Sequence, residues 1–257
     1  MIAALRQRLH GRSAAMLVSV ESGLPKIMTW WLALALVACF ARLRTSPLAG
    51  PTPDLATILP YLLLTCAPLV SMGLALKWFA DGDRQPQPTL RLARVGRWRT
   101  VDRAEAMANP LYGTSGIMVS LLLGTLLNVP VRAAEYLAAT PAIGGPVPAW
   151  LGTLHLMLTL DVVLMSSLYT IAFVAALRRV PLFPRLLVAI WAIDLAMQMS
   201  IAQAVSASGD LPRPVATVLG TLLDGNVKKV LISVALWSPY LLLSRRVNVT
   251  FRNRVPA

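Results

Sequence analysis

The stretch that decides the fold is Leu55–Leu76, LATILPYLLLTCAPLVSMGLAL, a run of 22 residues without a charged side chain. A hydrocarbon core about 30 Å thick is crossed by about 20 apolar helical residues. Asn109–Val131 provides a second uncharged run, of 23 residues. Two runs of this length in one chain predict a membrane protein that crosses the bilayer more than once.

Working outward from these two runs, the sequence contains further apolar stretches that predict six spanning helices. The predicted spans are Ile27–Ala41, Leu55–Leu76, Leu111–Leu137, Trp150–Leu177, Leu186–Val205 and a sixth that ends at Leu243. The start of the sixth is ambiguous because Val230–Leu243 is too short to cross a bilayer at about 1.5 Å per residue. This helix must recruit Val215–Lys229 or begin as a broken half-helix at Gly225. The predicted fold class is an all-α, polytopic transmembrane helical bundle.

Composition and charge support the same class. The chain is 56% hydrophobic and 14% charged, whereas soluble domains carry about a quarter charged residues. The net charge of +13 is explained by loop arginines that set orientation and meet anionic phospholipid headgroups, and not by nucleic acid. If both termini are cytoplasmic, 18 of the 24 basic residues lie inside and 6, among them Arg132, lie outside. The positive-inside rule favours this orientation.

A long basic connection divides the chain into three predicted parts. Residues 1–79 form a cytoplasmic lead-in and a two-helix membrane unit, residues 80–108 a basic cytoplasmic loop, and residues 109–257 a four-helix membrane domain. Val95, Trp98 and Val101 recur at helical spacing within the loop. One hypothesis is an interfacial helix that binds anionic headgroups and inserts Trp98; the other is a topology signal only. The candidate lipid-facing residues are Arg91, Arg94, Arg97, Trp98 and Arg99.

Charged residues inside the apolar runs are the strongest functional signal. Asp161 and Asp194 lie near the middle of two spans, where a lone carboxylate costs about 2.5–3.5 kcal/mol and must find a partner. The predicted intramembrane polar network comprises His155, Asp161, Asp194, Gln198, Asp224, Lys228 and Lys229. Two interpretations of this network stay open. In the first, it is a proton or ion relay or a polar substrate site. In the second, it is a structural hydrogen-bond network that holds the helices together.

Two ladders of small residues predict close helix packing. Gly116, Ser120 and Gly124 form one ladder, and Ala192, Ala196, Ser200 and Ala204 form the other. Small residues at this spacing let two helix backbones approach each other. We expect packing within the chain by default, with contact to a partner subunit as the alternative.

The last four predicted helices resemble a known family. The resemblance rests on Asp161–Ile190, with RRVPLFPR from Arg178, and on KKVLISVALWSPYLLLSRRVNVTF from Lys228. These segments resemble the bacterial inner-membrane family catalogued as domain of unknown function 2569, over roughly Asn109 to Arg254. The resemblance implies a bacterial inner-membrane location but no activity or site residue.

No metal-binding, nucleotide-binding or nucleophile motif is visible, so the sequence predicts no enzyme, no cofactor and no catalytic residue. Cys39 and Cys66 lie in apolar runs and are interpreted as packing residues. The first hypothesis is a non-enzymatic accessory or assembly subunit of a membrane complex in the bacterial inner (cytoplasmic) membrane. The alternative is a small ion- or proton-coupled transporter that uses the intramembrane carboxylates.

Overall fold

The structure is a computed structural model that describes residues 2–50, 52–89, 95–209 and 211–257, with side chains from residue 11 onward. It is 77% helical. The helices are α1 (Ile2–Thr45), α2 (Leu55–Trp78), α3 (Arg103–Ala108), α4 (Ile117–Ala139), α5 (Ala149–Leu177), α6 (Phe183–Ala207), α7 (Arg213–Leu243) and α8 (Arg245–Arg252). A short 3-10 turn covers Gly82–Arg84, and two three-residue strands, β1 (Trp98–Thr100) and β2 (Arg254–Pro256), complete the described elements.

Within the described residues, five helices are long and apolar enough to cross a membrane: α1, α2, α4, α5 and α6. A sixth candidate is α7 taken together with α8, although the two helices are bent by 71° at their junction. The fold is all-α, and the length and composition of these helices fit a membrane protein. The exact number of spans and the side on which the termini lie stay predictions.

Helix α1 is much longer than the predicted span Ile27–Ala41, since it runs from Ile2 to Thr45 and includes the predicted lead-in. The prediction ended the helix at Lys26 and Arg42 because charges end an apolar run. A charge does not end a helix, which ends where its terminal backbone groups find other partners.

The first turn of α2 is capped by a side chain. Asp54 accepts hydrogen bonds from both the backbone N–H and the hydroxyl of Thr57. These bonds hold the pKa of Asp54 below its ordinary value.

Helix α4 begins at Ile117, six residues later than the predicted start at Leu111. The preceding turn contains Gly113 and Gly116 at φ values of +105° and +73°, which favour glycine. Arg246 fixes the turn by donating to the hydroxyl of Ser115 at 2.8 Å. Apolar content alone does not reveal this turn.

The sixth predicted helix does not begin as a half-helix at Gly225, because α7 runs unbroken from Arg213 to Leu243. The helix therefore recruits the polar segment before Val230. The remaining predicted boundaries, for the spans over α2, α5 and α6, lie within three residues of the observed ends.

The core forms around α5, which packs against α2, α4 and α6. Met165, Phe173, Leu187 and Ile190 are fully buried in this core, which also includes Met72 of α2. The two N-terminal helices thus share one core with the C-terminal four. Helix α7 packs mainly against α6.

The two ends of the bundle are closed by different contacts. At one end, Arg178 pairs with Glu21 and β1 pairs with β2. We call this the basic end. At the opposite end, Arg42 donates to the carbonyl of Thr140 at 2.8 Å, and the N–H of Ala142 donates to Ser46.

The described part of the basic loop differs from the predicted lipid-facing helix. Trp98 lies in a strand and is 9% exposed, with its indole N–H donating to the carbonyl of Val95 at 2.5 Å. It is therefore packed inside the protein and is not available for insertion into lipid. Arg97 and Arg99 are exposed, and Arg99 pairs with Glu105. Arg91 and Arg94 lie outside the described residues.

Most residues of the two small-residue ladders face away from the core, whereas Ala204 is half-buried. Ser120 and Gly124 of α4 are exposed, and so are Ala192, Ala196 and Ser200 of α6. Gly116 lies before α4 and is not part of the helix. The expectation that these ladders pack within the chain is wrong.

Candidate functional site

Arg132 of α4 joins the two predicted carboxylates. Its Nη1 donates to Asp161 Oδ2 of α5 at 2.7 Å, and its Nη2 donates to Asp194 Oδ1 and Oδ2 of α6 at 2.8 and 2.7 Å. The side chain of Asp194 is 0% exposed and that of Asp161 is 8% exposed. One guanidinium therefore links three helices inside the membrane-spanning part of the fold.

Neutral side chains complete the cluster. Tyr169 of α5 donates its hydroxyl to Asp194 Oδ2 at 3.1 Å. The amide of Gln198 donates to Asp161 Oδ1 at 3.3 Å and to Asp194 Oδ1 at 3.5 Å. The amide of Asn226 on α7 then donates to Gln198 Oε1 at 3.2 Å, which connects the fourth helix.

A second ion pair lies beside this cluster. Lys229 of α7 pairs with Glu135 of α4, one turn from Arg132, and also contacts Asn226 Oδ1 at 3.5 Å. The side chains of this pair are 59% and 43% exposed, so the pair forms the outer edge of the charged layer. We use the name charged layer for Arg132, Glu135, Asp161, Asp194 and Lys229.

The charged layer does not balance when every group is ionised. Arg132 and Lys229 supply two positive charges, whereas Glu135, Asp161 and Asp194 supply three negative charges. Lys229 neutralises Glu135, so Arg132 alone faces two buried carboxylates. The excess charge of −1 is costly in a membrane interior, and one proton or one monovalent cation would remove it.

Two cavities lie on either side of the charged layer. The larger one, about 650 Å³, is formed by α4, α5 and α7 towards the opposite end, and Asp161 is in its wall. The smaller one, about 50 Å³, lies nearer the basic end, and Asp194 is in its wall. Arg132, Glu135, Asn226 and Lys229 line both cavities. The charged layer is thus a partition between two cavities along the same pair of helices.

The larger cavity has the size and lining of a small-molecule site. Ligand pockets commonly enclose about 300–1,000 Å³ and combine apolar walls with a few polar groups. Leu158, Val162, Val218 and Leu222 contribute the apolar part of the wall. The polar groups come from the charged layer, from Tyr136, and from Thr217, Thr221 and Asn226 of α7.

The structure brings together some of the predicted network and leaves other members outside it. Asp161, Asp194 and Gln198 form its centre. Lys229 lies at its edge, where it pairs with Glu135. His155 packs its ring 6.4 Å from that of Tyr136, and its Nε2 has no hydrogen-bond partner among the described residues.

Asp224 and Lys228 are exposed on α7. Among the hydrogen bonds and ion pairs of the described side chains, neither residue contributes to the charged layer. The four-residue spacing of these two residues predicts an intrahelical pair, and no such pair is observed among the described side chains. The described residues contain no group of three or more His, Cys, Asp or Glu side chains arranged to hold a metal ion.

The role of Arg132 is not predictable from its position in the sequence. The residue lies inside the predicted span Leu111–Leu137, but its nearness to the end of that span placed it among the outer loop charges. A charge balance was the available signal, because two carboxylates in neighbouring spans require a cation. Tyr169 and Asn226 carried no distinguishing signal in the sequence.

None of the known protein families, curated proteins or solved structures compared with this chain gives a match. The resemblance to domain of unknown function 2569 therefore stays a prediction.

Proposed function

We propose that this protein is a small membrane carrier that couples the binding of a proton or monovalent cation to movement of a small, partly apolar solute. The observation that carries the proposal is the position of the charged layer between two cavities. The excess negative charge lies beside the larger cavity, where a bound solute can contact Asp161. We place the carrier in the bacterial inner membrane with both termini cytoplasmic, in accordance with the distribution of basic residues.

The proposed mechanism uses Arg132 as a shared partner for two carboxylates. When Asp161 holds a proton or cation, Arg132 is free to pair fully with Asp194, and the layer is neutral. When the larger cavity receives a cationic solute, that solute replaces the proton beside Asp161. Such exchange of one charge for another avoids exposing a lone carboxylate to the membrane interior.

Helix α7 is the element that would move. It packs mainly on α6, and its described polar links to the layer are the Asn226–Gln198 hydrogen bond and the Lys229–Glu135 pair. Breaking these two links opens one cavity to the other. The core formed by α2, α4, α5 and α6 stays fixed during this step.

Proteoliposomes test the proposal, with tetraphenylphosphonium as a monovalent, partly apolar cation probe. We expect uptake of the probe to depend on a pH gradient with the wild-type chain and to be lost in Asp161→Asn. The exposed loop variant Arg99→Gln is the matched control and should transport normally. Absence of chain-dependent uptake, or equal uptake by Asp161→Asn and the wild type, would contradict the proposal.

A second candidate function is that of an accessory or assembly subunit. The exposed small-residue ladders on α4 and α6 favour it, because such surfaces let helices of another subunit approach closely. This hypothesis predicts a partner that co-purifies in constant ratio. It further predicts loss of that partner in Gly124→Leu and in Ala196→Leu, which leave the charged layer intact.

A further inference from the structure

Three buried arginines lie together at the basic end, far from the charged layer. Arg185 is in the first turn of α6, Arg252 ends α8, and Arg254 is in β2. They are 9%, 5% and 9% exposed. The ring of Phe183 packs 5.2 Å from that of Phe251, which brings the start of α6 against the end of α8.

One edge of the Arg252 guanidinium makes no hydrogen bond with the described residues. Its Nη1 donates to Asn248 Oδ1 at 3.1 Å, one turn earlier in α8. Its Nε and Nη2 are buried and have no hydrogen-bond partner among the described residues. These two nitrogens form the side of the guanidinium on which two N–H groups point in parallel.

Burying two N–H donors without acceptors costs free energy. The arrangement of the Arg252 guanidinium therefore needs an explanation. The parallel N–H groups of an arginine edge match two oxygens of an oxyanion. Arg185 and Arg254 both act electrostatically on Arg252, and they add positive charge on the same side of the fold. The set therefore repels cations and attracts a compact anion.

We propose that Arg252, supported by Arg185 and Arg254, binds a phosphate group. This site is separate from the charged layer and does not depend on the proposed carrier function. Phosphate suits the site better than a carboxylate, since its tetrahedral oxygens can meet the Arg252 edge and still contact further guanidinium groups. The phosphate belongs either to an anionic lipid headgroup or to a soluble phosphate compound.

Inorganic phosphate is the first probe, used with the full-length chain in a zwitterionic nanodisc. We expect a saturable rise in thermal stability with phosphate and a much smaller rise with chloride at equal ionic strength. The second probe is a nanodisc that contains phosphatidylglycerol, with bound lipid counted by native mass spectrometry after release into detergent. A response to phosphate without retention of phosphatidylglycerol indicates the soluble source, and retention of phosphatidylglycerol indicates the lipid headgroup.

Variants separate the site from general positive charge. Arg252→Gln should abolish the response, whereas Arg245→Gln should keep it, because Arg245 is an exposed arginine on the same helix. Arg252→Lys retains the charge but loses the two-donor edge, and it should weaken binding at least tenfold while the protein still folds. If neither probe binds the wild type, or if Arg252→Lys and Arg245→Gln both bind like the wild type, the proposal is overturned.

Discussion

Replacing Arg132 with glutamine removes the cation that Asp161 and Asp194 share. Both carboxylates then stay buried without a charged partner, and breaking a buried ion pair from one side costs about 3–5 kcal/mol. We expect Arg132→Gln to lower the free energy of unfolding by about this amount, measured by denaturation in detergent micelles. The control is Arg99→Gln, whose exposed pair with Glu105 contributes about 0–1 kcal/mol. Equal effects of the two variants would contradict a central role for Arg132.

The two aspartates should respond differently to neutralisation. Asp194 is fully buried and accepts hydrogen bonds from Arg132, Tyr169 and Gln198. Asp161 lies in the wall of the larger cavity. We expect Asp194→Asn to destabilise the protein by about 1.5–3 kcal/mol, the size of a charged hydrogen bond. Asp161→Asn should cost less, because Asp161 borders a cavity and accepts hydrogen bonds only from Arg132 and Gln198 among the described residues. Thermal unfolding of both variants measures this difference, and a larger loss in Asp161→Asn would contradict the greater structural role of Asp194.

These residues show how far the candidate site could be predicted. Asp161 and Asp194 stand out because each is a lone acid within a long apolar run. Arg132 does not stand out, since an arginine near a helix end is ordinary at a membrane interface. Only the packing of α4 against α5, which depends on contacts far apart in sequence, turns Arg132 inward.

At the scale of elements, the loop between α4 and α5 packs closely against the loop between α1 and α2. A Cβ atom on Gly144 would lie 2.4 Å from the carbonyl oxygen of Ala49, which leaves no room for a side chain. We expect Gly144→Ala to destabilise the protein by about 1–3 kcal/mol, as overpacking commonly does. Gly124→Ala is the control, because nothing lies within 4 Å of that position. A melting temperature unchanged in Gly144→Ala would show that this loop contact is not tight.

Element types and ends were predictable to different degrees. The apolar runs correctly predict α2, α5 and α6, because hydrophobic length is a local property. The β1–β2 pair was missed because its partners are about 155 residues apart in the chain, with Trp98 opposite Pro256. Helical spacing of Val95, Trp98 and Val101 favoured a helix, whereas Gly96 at a φ of +92° and the pairing with β2 impose a strand.

At the scale of the whole molecule, the proposed carrier function requires α7 to move relative to α4. Cysteines introduced by Glu135→Cys and Lys229→Cys, in a chain with Cys39→Ala and Cys66→Ala, allow a short bis-maleimide to join the two helices across the layer. We expect the cross-link to stop tetraphenylphosphonium uptake, and the same variant without reagent to retain part of it. A matched link between Trp78→Cys and Gln85→Cys, which contact each other at the basic end, should leave uptake unchanged. Full uptake with α7 cross-linked would exclude its movement.

Orientation is the remaining property of the whole molecule that the sequence predicts. The structure collects Glu21, Arg178 and the β1–β2 pair at one end, so the segments assigned to the cytoplasmic side lie together. The basic residues that favour that side outnumber the others 18 to 6, and their transfer across an energised membrane is unfavourable. We therefore expect reporter fusions after Arg254 and at Gln87 to be active in the cytoplasm, and a fusion at Gly145 to be active in the periplasm. A C-terminal fusion that reports the periplasm would reverse the orientation and place the larger cavity on the cytoplasmic side of the charged layer.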